Sequence, residues 1–277
     1  MTAISVLILT LNEEENLTDC LKSCAWSDDV VVFDSFSTDR TTTIAVSCGA
    51  RLVQRRFDNY AAQRNAAVAE VSYKHPWVLM VDADERVPPD LVAEMNEAVA
   101  NVSDDTALFR MRRKDYFLGR WLRRSSGYPS WFGRLMRVGR VRVERAVNEE
   151  YIADGDIVHL DGHLVHFPFN RGISHWYERH NQYSTMEALA KLEAQTAPVP
   201  FRSLLSTDPV GRRRALKQLG YRLPMRPTIL FLYLYVFRLG FLDGRAGLAY
   251  SRMRASYEFI IDLKVTEFER RRKGLPI

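Results

Sequence analysis

Two aspartates one residue apart, Asp82 and Asp84, end the apolar run Trp77-Val78-Leu79-Met80-Val81. Carboxylates at the end of a buried strand need something to neutralise them. A divalent metal ion carrying a diphosphate is the natural candidate at the strand ends of an α/β domain. The competing reading is an acidic loop leading into the helix that starts at Pro88-Pro89. Other residues suited to chemistry are Asp34 and Asp39 in Val31-Val32-Phe33-Asp34-Ser35-Phe36-Ser37-Thr38-Asp39, Arg64, His163 and His166, and the pair Asn148-Glu149.

These residues need a scaffold that brings distant segments together, and the hydrophobic periods supply one. Ile4 to Thr10, Asp29 to Asp34, Arg51 to Val53 and Trp77 to Val81 read as strands. Glu13 to Ser23, Ser37 to Ser47, Ala61 to Val71 and Pro89 to Ala100 read as helices, the last opened by Pro and Asp. Strands alternating with helices of this length predict an α/β fold, a mostly parallel central sheet covered on both faces. Right-handed crossovers then align the carboxyl ends of the strands, with their acids, along one edge. From Ala107 the strands shorten and break: Ala107 to Arg112, Gly133 to Arg137 and Gly162 to His166. A long helix follows from His175 to Leu192, and Pro198-Val199-Pro200 is the expected domain boundary. The division expected is 1–197, split into a nucleotide half (1–106) and an acceptor half (107–197), then a basic, aromatic helical region (198–277).

A chain of 277 residues with 47% hydrophobic residues can bury a substantial core, which excludes disorder. Its net charge of +5 is unevenly placed. Between Arg110 and Arg145 twelve basic residues face only Asp115 and Glu144, and from Phe201 onward sixteen face six acids. Two such regions fit anionic phosphates or an anionic membrane. Nucleic acid is disfavoured because Asp82 and Asp84 would oppose a polyanion. Cys20, Cys24 and Cys48 form no CxxC pair and imply a reducing compartment, and no signal-peptide pattern precedes the first strand. The uncharged run Ile229 to Phe237 is too short to span a hydrocarbon core. With arginines at its margins, it suits the membrane interface, or alternatively a buried or subunit-contacting helix.

The ordered motifs Ser5 to Glu14, Val31 to Thr41, Ala62-Gln63-Arg64-Asn65-Ala66 and Asp82-Ala83-Asp84-Glu85 closely resemble the inverting family 2 glycosyltransferases of GT-A fold. The nearer resemblance is to the lipopolysaccharide core and lipo-oligosaccharide enzymes. It extends through Trp131 to Arg137, Asn148-Glu149, His163 to Phe167 and Leu239 to Gly247. The resemblance implies a metal-dependent transferase moving a hexose, with glucose as the leading choice, from a UDP-sugar. Leu11 and Glu13 would flank base and ribose, Asp34 would accept from the uracil N–H, and Arg64 would reach the base or diphosphate. Asp82 would face the ribose, and Asp84 would ligate Mg²⁺ or Mn²⁺ with His166 completing the shell. Glu149 would be the general base, with Glu150 and Asp115 as alternatives, in place of the family's usual His-Glu pair. The N-cap role is as open for Asp39 as a ligand contact.

Arg113, Tyr116, Trp121, Trp131 and Arg134 are the acceptor-binding residues expected, gripping an anionic lipid-linked glycan or a lipopolysaccharide core. Guanidinium groups recognise phosphate and aromatic faces stack on sugar rings. The implied setting is peripheral, on the cytoplasmic face of the inner membrane, with a homo-oligomer as a further possibility. A non-catalytic nucleotide-binding module is the alternative function. A nucleotidyltransferase would need a glycine-rich loop, which does not follow Thr10.

Overall fold

A computed structural model describes residues 3–144, 150–196, 220 and 225–277. In chain order its elements are β1 (Ile4–Thr10), α1 (Glu14–Ser23), β2 (Val30–Asp34), α2 (Thr41–Ser47), β3 (Arg51–Gln54), α3 (Tyr60–Glu70), β4 (Trp77–Asp82), β5 (Glu85–Arg86), α4 (Pro89–Asn101), β6 (Thr106–Phe117), β7 (Arg120–Trp121), β8 (Trp131–Arg137), β9 (Val141–Glu144), β10 (Glu150–Ala153), β11 (Asp156–His166), α5 (Gly172–Thr196), α6 (Arg226–Leu232) and α7 (Gly244–Arg272). A π-helical turn, Tyr233–Phe237, continues α6, and a 3₁₀ turn, Gly240–Asp243, leads into α7.

The chain divides into two compact units. The first comprises Met1–Tyr116 and Tyr128–Arg171, and the second Phe117–Gly127 and Gly172–Ile277. The expected boundary at Pro198-Val199-Pro200 lies outside the described residues. Packing groups α5 with the carboxy-terminal helices, so the second unit takes in residues from 172 onward.

In the first unit the sheet runs β3-β2-β1-β4-β8-β6-β11-β5. β1 pairs in parallel with β2 and β4, β2 with β3, and β6 with β11. β8 runs antiparallel to both β4 and β6, which leaves β6 and β11 pointing the same way as β4. The carboxyl ends of six strands therefore share one edge, the expected mostly parallel arrangement with β8 and β5 reversed. Its central strands are buried on both faces, as near-continuous apolar strings such as Ile4-Ser-Val-Leu-Ile-Leu-Thr10 require. Ile8, Leu79, Phe109, Leu135 and Leu164 build the core on one face with α1 and α4, and Leu7, Val78, Met80 and Leu108 build the other with α3.

The second unit is helical. Lys191 on α5 reaches Asp262 on α7 at 2.5 Å, and Arg226 at the start of α6 pairs with Glu258 on α7 at 3.1 Å.

Candidate nucleotide-sugar and metal site

The carboxyl edge begins with two interlocked loops. Asn12, at the left-handed φ of 55°, accepts from the Thr38 amide through its side chain, and its own amide donates to Ser37 Oγ. The Glu13 and Glu14 amides donate to Thr41 Oγ1 and Asp39 Oδ2. Asp39 also accepts from the Thr41 amide, so it caps the first turn of α2 while holding the start of α1. Burial raises the cost of its charge, and the hydrogen bonds to Thr41 and Glu14 more than offset it, so its carboxyl lies below the ordinary value.

Asp34 has a different role from the one the motif implies. It is 0% exposed. One oxygen accepts from Thr10 Oγ1 at 2.9 Å and from Ser37 Oγ, and the other from the Ser37 amide at 2.9 Å and Gln54 Nε2 at 3.0 Å. Those four bonds use the acceptor capacity of a carboxylate. Asp34 fixes the loop and is not available to a uracil N–H. The large apolar side chains exposed on these loops are Leu11 and, after β2, Phe36 at φ 61°.

Helix α3 presents three successive polar side chains inward. Gln63 donates to Ser35 Oγ, and Arg64 contacts Asp82 Oδ1 at 3.3 Å through both terminal nitrogens. Asn65 exchanges two hydrogen bonds with the Val143 backbone, tying β9 to α3. Arg64 is therefore a buried partner of the strand-end acid, not a group reaching out to a base or diphosphate.

The acids after β4 differ sharply in their surroundings. Asp82 Oδ2 accepts from Arg134 at 2.5 Å while Arg64 covers Oδ1. Burial opposes ionisation, but Arg134 and Arg64 together outweigh it and hold the carboxyl well below the usual range. Glu85 is fully buried, accepting from Arg134 at 2.7 Å and from the Asp82 amide at 3.0 Å, with Arg113 at 3.5 Å. Arg113 also donates to Asp115 at 3.1 Å. Arg113 and Arg134 thus neutralise internal acids, which corrects their expected acceptor role. The sign of their charge was readable, but its direction was not.

Among the described residues, the neighbour of opposite charge at hydrogen-bond range of Asp84 is His166. His166 Nε2 lies 3.2 Å from Asp84 Oδ2, and His166 Nδ1 lies 2.7 Å from Asp115 Oδ1. The pairing of His166 with Glu85 across β11 and β5, and with Asp115 across β11 and β6, places the ring there. Burial pulls the imidazole down and Asp84 with Asp115 pushes it up further, to about 9. Burial likewise opposes the Asp84 charge, and His166 more than compensates, so Asp84 stays ionised. Glu13, bonded to Asn16 and Arg171, has its carboxyl raised first by burial and then by Asp84.

Among the described residues no group of three His, Cys, Asp or Glu side chains is placed to hold a metal ion. The Asp84 carboxylate fits a hard divalent ion that takes one or two protein ligands and completes its shell from phosphates and water, and His166 would have to give up a proton to join it. The remaining expected residues separate. Tyr116 packs on Phe167 with ring centroids 5.5 Å apart, and Trp131 sits at the start of β8, edge-on to His159 at 4.6 Å and under Arg112 at 5.3 Å. Trp121 belongs to the other unit. Glu149 lies outside the described residues. Glu150 opens β10. Glu85 and Arg171 escaped the sequence reading, although a third acid directly after Asp82-Ala83-Asp84 was a cue that an internal cation was required.

An α/β sheet with paired loops and acids gathered at its carboxyl edge defines a nucleotide-binding type of site. Residues 5–154 match glycosyl transferase family 2, and the chain belongs to that family. It is 28% identical over 272 residues to the lipopolysaccharide core biosynthesis glycosyltransferase LpsC of Rhizobium meliloti, covering 95% of this chain and 91% of that one. An uncharacterized glycosyltransferase of Rickettsia bellii is 36% identical over 38% of this chain and 35% of its own. Among solved structures, glucosyl-3-phosphoglycerate synthase of Mycobacterium tuberculosis, in complex with Mn²⁺, UDP-glucose and phosphoglyceric acid, is similar with 24% identity and a TM-score of 0.35, over 41% of this chain and 44% of that one. The Rickettsia and mycobacterial proteins are thus spanned over less than half their length.

Proposed function

We propose that the protein is a metal-dependent inverting glycosyltransferase that moves a hexose, glucose in the leading reading, from a UDP-sugar to an anionic lipid-linked or lipopolysaccharide-core acceptor at a membrane surface. One observation carries the site assignment: Asp82 and Glu85 are neutralised by buried arginines, whereas Asp84, at the carboxyl edge of the sheet, has the His166 ring against it and no arginine at ion-pair distance among the described residues. Asp84, with His166 once it has given up a proton, would hold Mg²⁺ or Mn²⁺. The ion would offset the charge that develops on the departing diphosphate. Glu13, Leu11 and Phe36 line the two loops that would take the nucleoside, and Asp82 would face the ribose. Similarity to LpsC over nearly the whole chain supports the acceptor class.

In a direct displacement the acceptor oxygen bonds to the anomeric carbon as the bond to the diphosphate breaks. The hydroxyl proton passes to a carboxylate. Glu149 is the proposed base. Asp115 suits that task poorly, because Arg113 and His166 already bond to it. Glu149→Gln is expected to lower turnover about 10²–10⁴-fold with unchanged melting temperature. Near-normal turnover would move the role elsewhere.

The test of the whole reading is nucleotide release across UDP-, GDP- and dTDP-sugars with Mg²⁺ or Mn²⁺, paired with a binding titration. Metal-dependent UDP-sugar binding supports it. Absence of any nucleotide binding removes it, and binding without release when an acceptor is supplied favours a non-catalytic nucleotide module.

The membrane part rests on the second unit. Among the described residues no single helix is long and apolar enough to cross a membrane, while the pair Arg226–Phe237 and Gly240–Arg272, bent by 72°, passes the same test together. Helix α6 buries none of its residues, and Leu232, Tyr233, Val236 and Phe237 are exposed.

A further inference from the structure

The second unit includes a segment drawn from the middle of the chain, and its attachment is specific. Asp243, 3% exposed, accepts through Oδ2 from the Arg124 amide at 2.9 Å and from both the amide and hydroxyl of Ser125 at 2.8 Å. Arg120 donates to the Leu242 carbonyl at 2.9 Å. The turn that receives the segment is tight. A Cβ at Gly240 would lie 2.4 Å from the Leu234 carbonyl oxygen, and one at Gly247 would lie 2.1 Å from the Gly240 carbonyl oxygen. Leu122 and Ser125 are fully buried, so the segment is built into the unit.

What this attachment brings together is one kind of surface. Leu118 is 67% exposed and Phe237 77%, with Phe241 and Leu242 also exposed. Arg120, Arg123, Arg124 and Arg245 are exposed alongside. Phe117–Gly127 holds three arginines (120, 123 and 124) and no aspartate or glutamate; on the carboxy-terminal side Arg226 pairs with Glu258 and the buried Asp243 precedes the exposed Arg245. Exposed apolar side chains beside exposed arginines match a bilayer interface: acyl chains take the apolar groups and anionic headgroups the guanidiniums. A protein partner of the same charge complementarity would have to be acidic around an apolar centre, an arrangement for which nothing else in the unit calls.

We propose that Phe117–Gly127 and the Phe237–Leu242 turn form one bipartite surface that docks on an anionic lipid bilayer, with Asp243 as the positioning residue joining its two halves. This inference rests on the membrane reading above and adds to it that Arg123 and Arg124 serve lipid headgroups and not the sugar acceptor.

The test is flotation of the full chain with vesicles of phosphatidylcholine, with and without about 30% phosphatidylglycerol as the anionic lipid. Phe237→Ser/Phe241→Ser should lower partitioning about 100-fold. Arg123→Gln/Arg124→Gln should lower partitioning onto anionic vesicles about 30-fold and leave that onto neutral vesicles unchanged. Equal melting temperatures certify folding of both. If the arginine variant floats like wild type while the phenylalanine variant does not, the bipartite surface is wrong and the membrane reading stands. If wild type does not float, both fail, and a concentration-dependent dimer abolished by Phe237→Ser/Phe241→Ser would identify the surface as a subunit contact. A loss of sugar release from a soluble acceptor in Arg123→Gln/Arg124→Gln would overturn the assignment of those residues to lipid.

Discussion

Buried carboxylates stand at both ends of the sheet, one at the amino end and several at the carboxyl end, and they are put to different uses. At the amino end Asp29, 2% exposed, is held by Arg51 through two nitrogens at 3.0 and 2.8 Å, by Ser5 Oγ at 2.6 Å and by the Lys74 amide at 2.8 Å. At the carboxyl end Asp34 and Glu85 are equally saturated, and Asp82 is clamped between Arg134 and Arg64. Asp84 is the exception. Residue type is the same throughout, so what separates a structural carboxylate from a ligand-binding one is how many internal donors it already has.

The largest expected effect comes from removing that exception. Asp84→Ala should cut metal-dependent sugar release about 10³-fold, the size of a lost transition-state charge contact, while shifting the melting temperature by no more than about 2 °C. The pairing of a large kinetic loss with little thermal change is the signature to look for. Should the protein instead lose its fold with activity per folded molecule intact, Asp84 belongs with Asp34 and the contrast between them disappears.

Arg134→Met probes the other class. It would leave Asp82 and Glu85 buried without their shared cation, and breaking such an arrangement from one side costs about 3–5 kcal/mol. Thermal denaturation should record a fall of about 10 °C or more. Arg134→Lys, which keeps the charge and loses the planar fork, should recover part of it. A melting temperature equal to wild type would return Arg134 to the acceptor site from which its burial has removed it.

These contrasts also mark how far the sequence could be read. The alternation of strands and helices, the shared edge and the place of Asp82 and Asp84 follow from hydrophobic period and handedness alone, and the elements from β1 to β4 fall within a few residues of expectation. The basic run of β6 was misread because charge composition does not reveal direction. In a strand successive side chains face opposite ways, so Arg112 stacks over Trp131 while Arg113 turns to Glu85 and Asp115. Asp34 was misread for a related reason. The pattern Asp-x-x-Ser is itself a loop-closing device, and the Thr10 and Gln54 hydroxyl and amide that complete its shell arrive from other strands. Long-range insertion of residues 117–127 into the helical unit has no local signal, since its anchor, Asp243, lies more than a hundred residues away.

The smallest of these effects is a pH dependence at the amino end. Burial works against the Asp29 charge, and the Lys74 amide, Ser5 and Arg51 overcome it, so the folded-state value lies below the unfolded value of about 3.9. For a carboxylate depressed in this way, the stabilisation is fully present above the unfolded value and is lost as pH falls toward the folded one. Asp29→Asn cannot ionise, and should be less stable than wild type by about 2 kcal/mol, a figure held down by the partial exposure of Arg51. Urea denaturation from pH 7 down to pH 3 should give a constant gap between the two proteins above about pH 5, closing below about pH 4. A gap independent of pH across that range would mean that the loss in Asp29→Asn is one of shape and hydrogen bonding, and that the charge of the amino-end carboxylate contributes nothing, unlike that of Asp84.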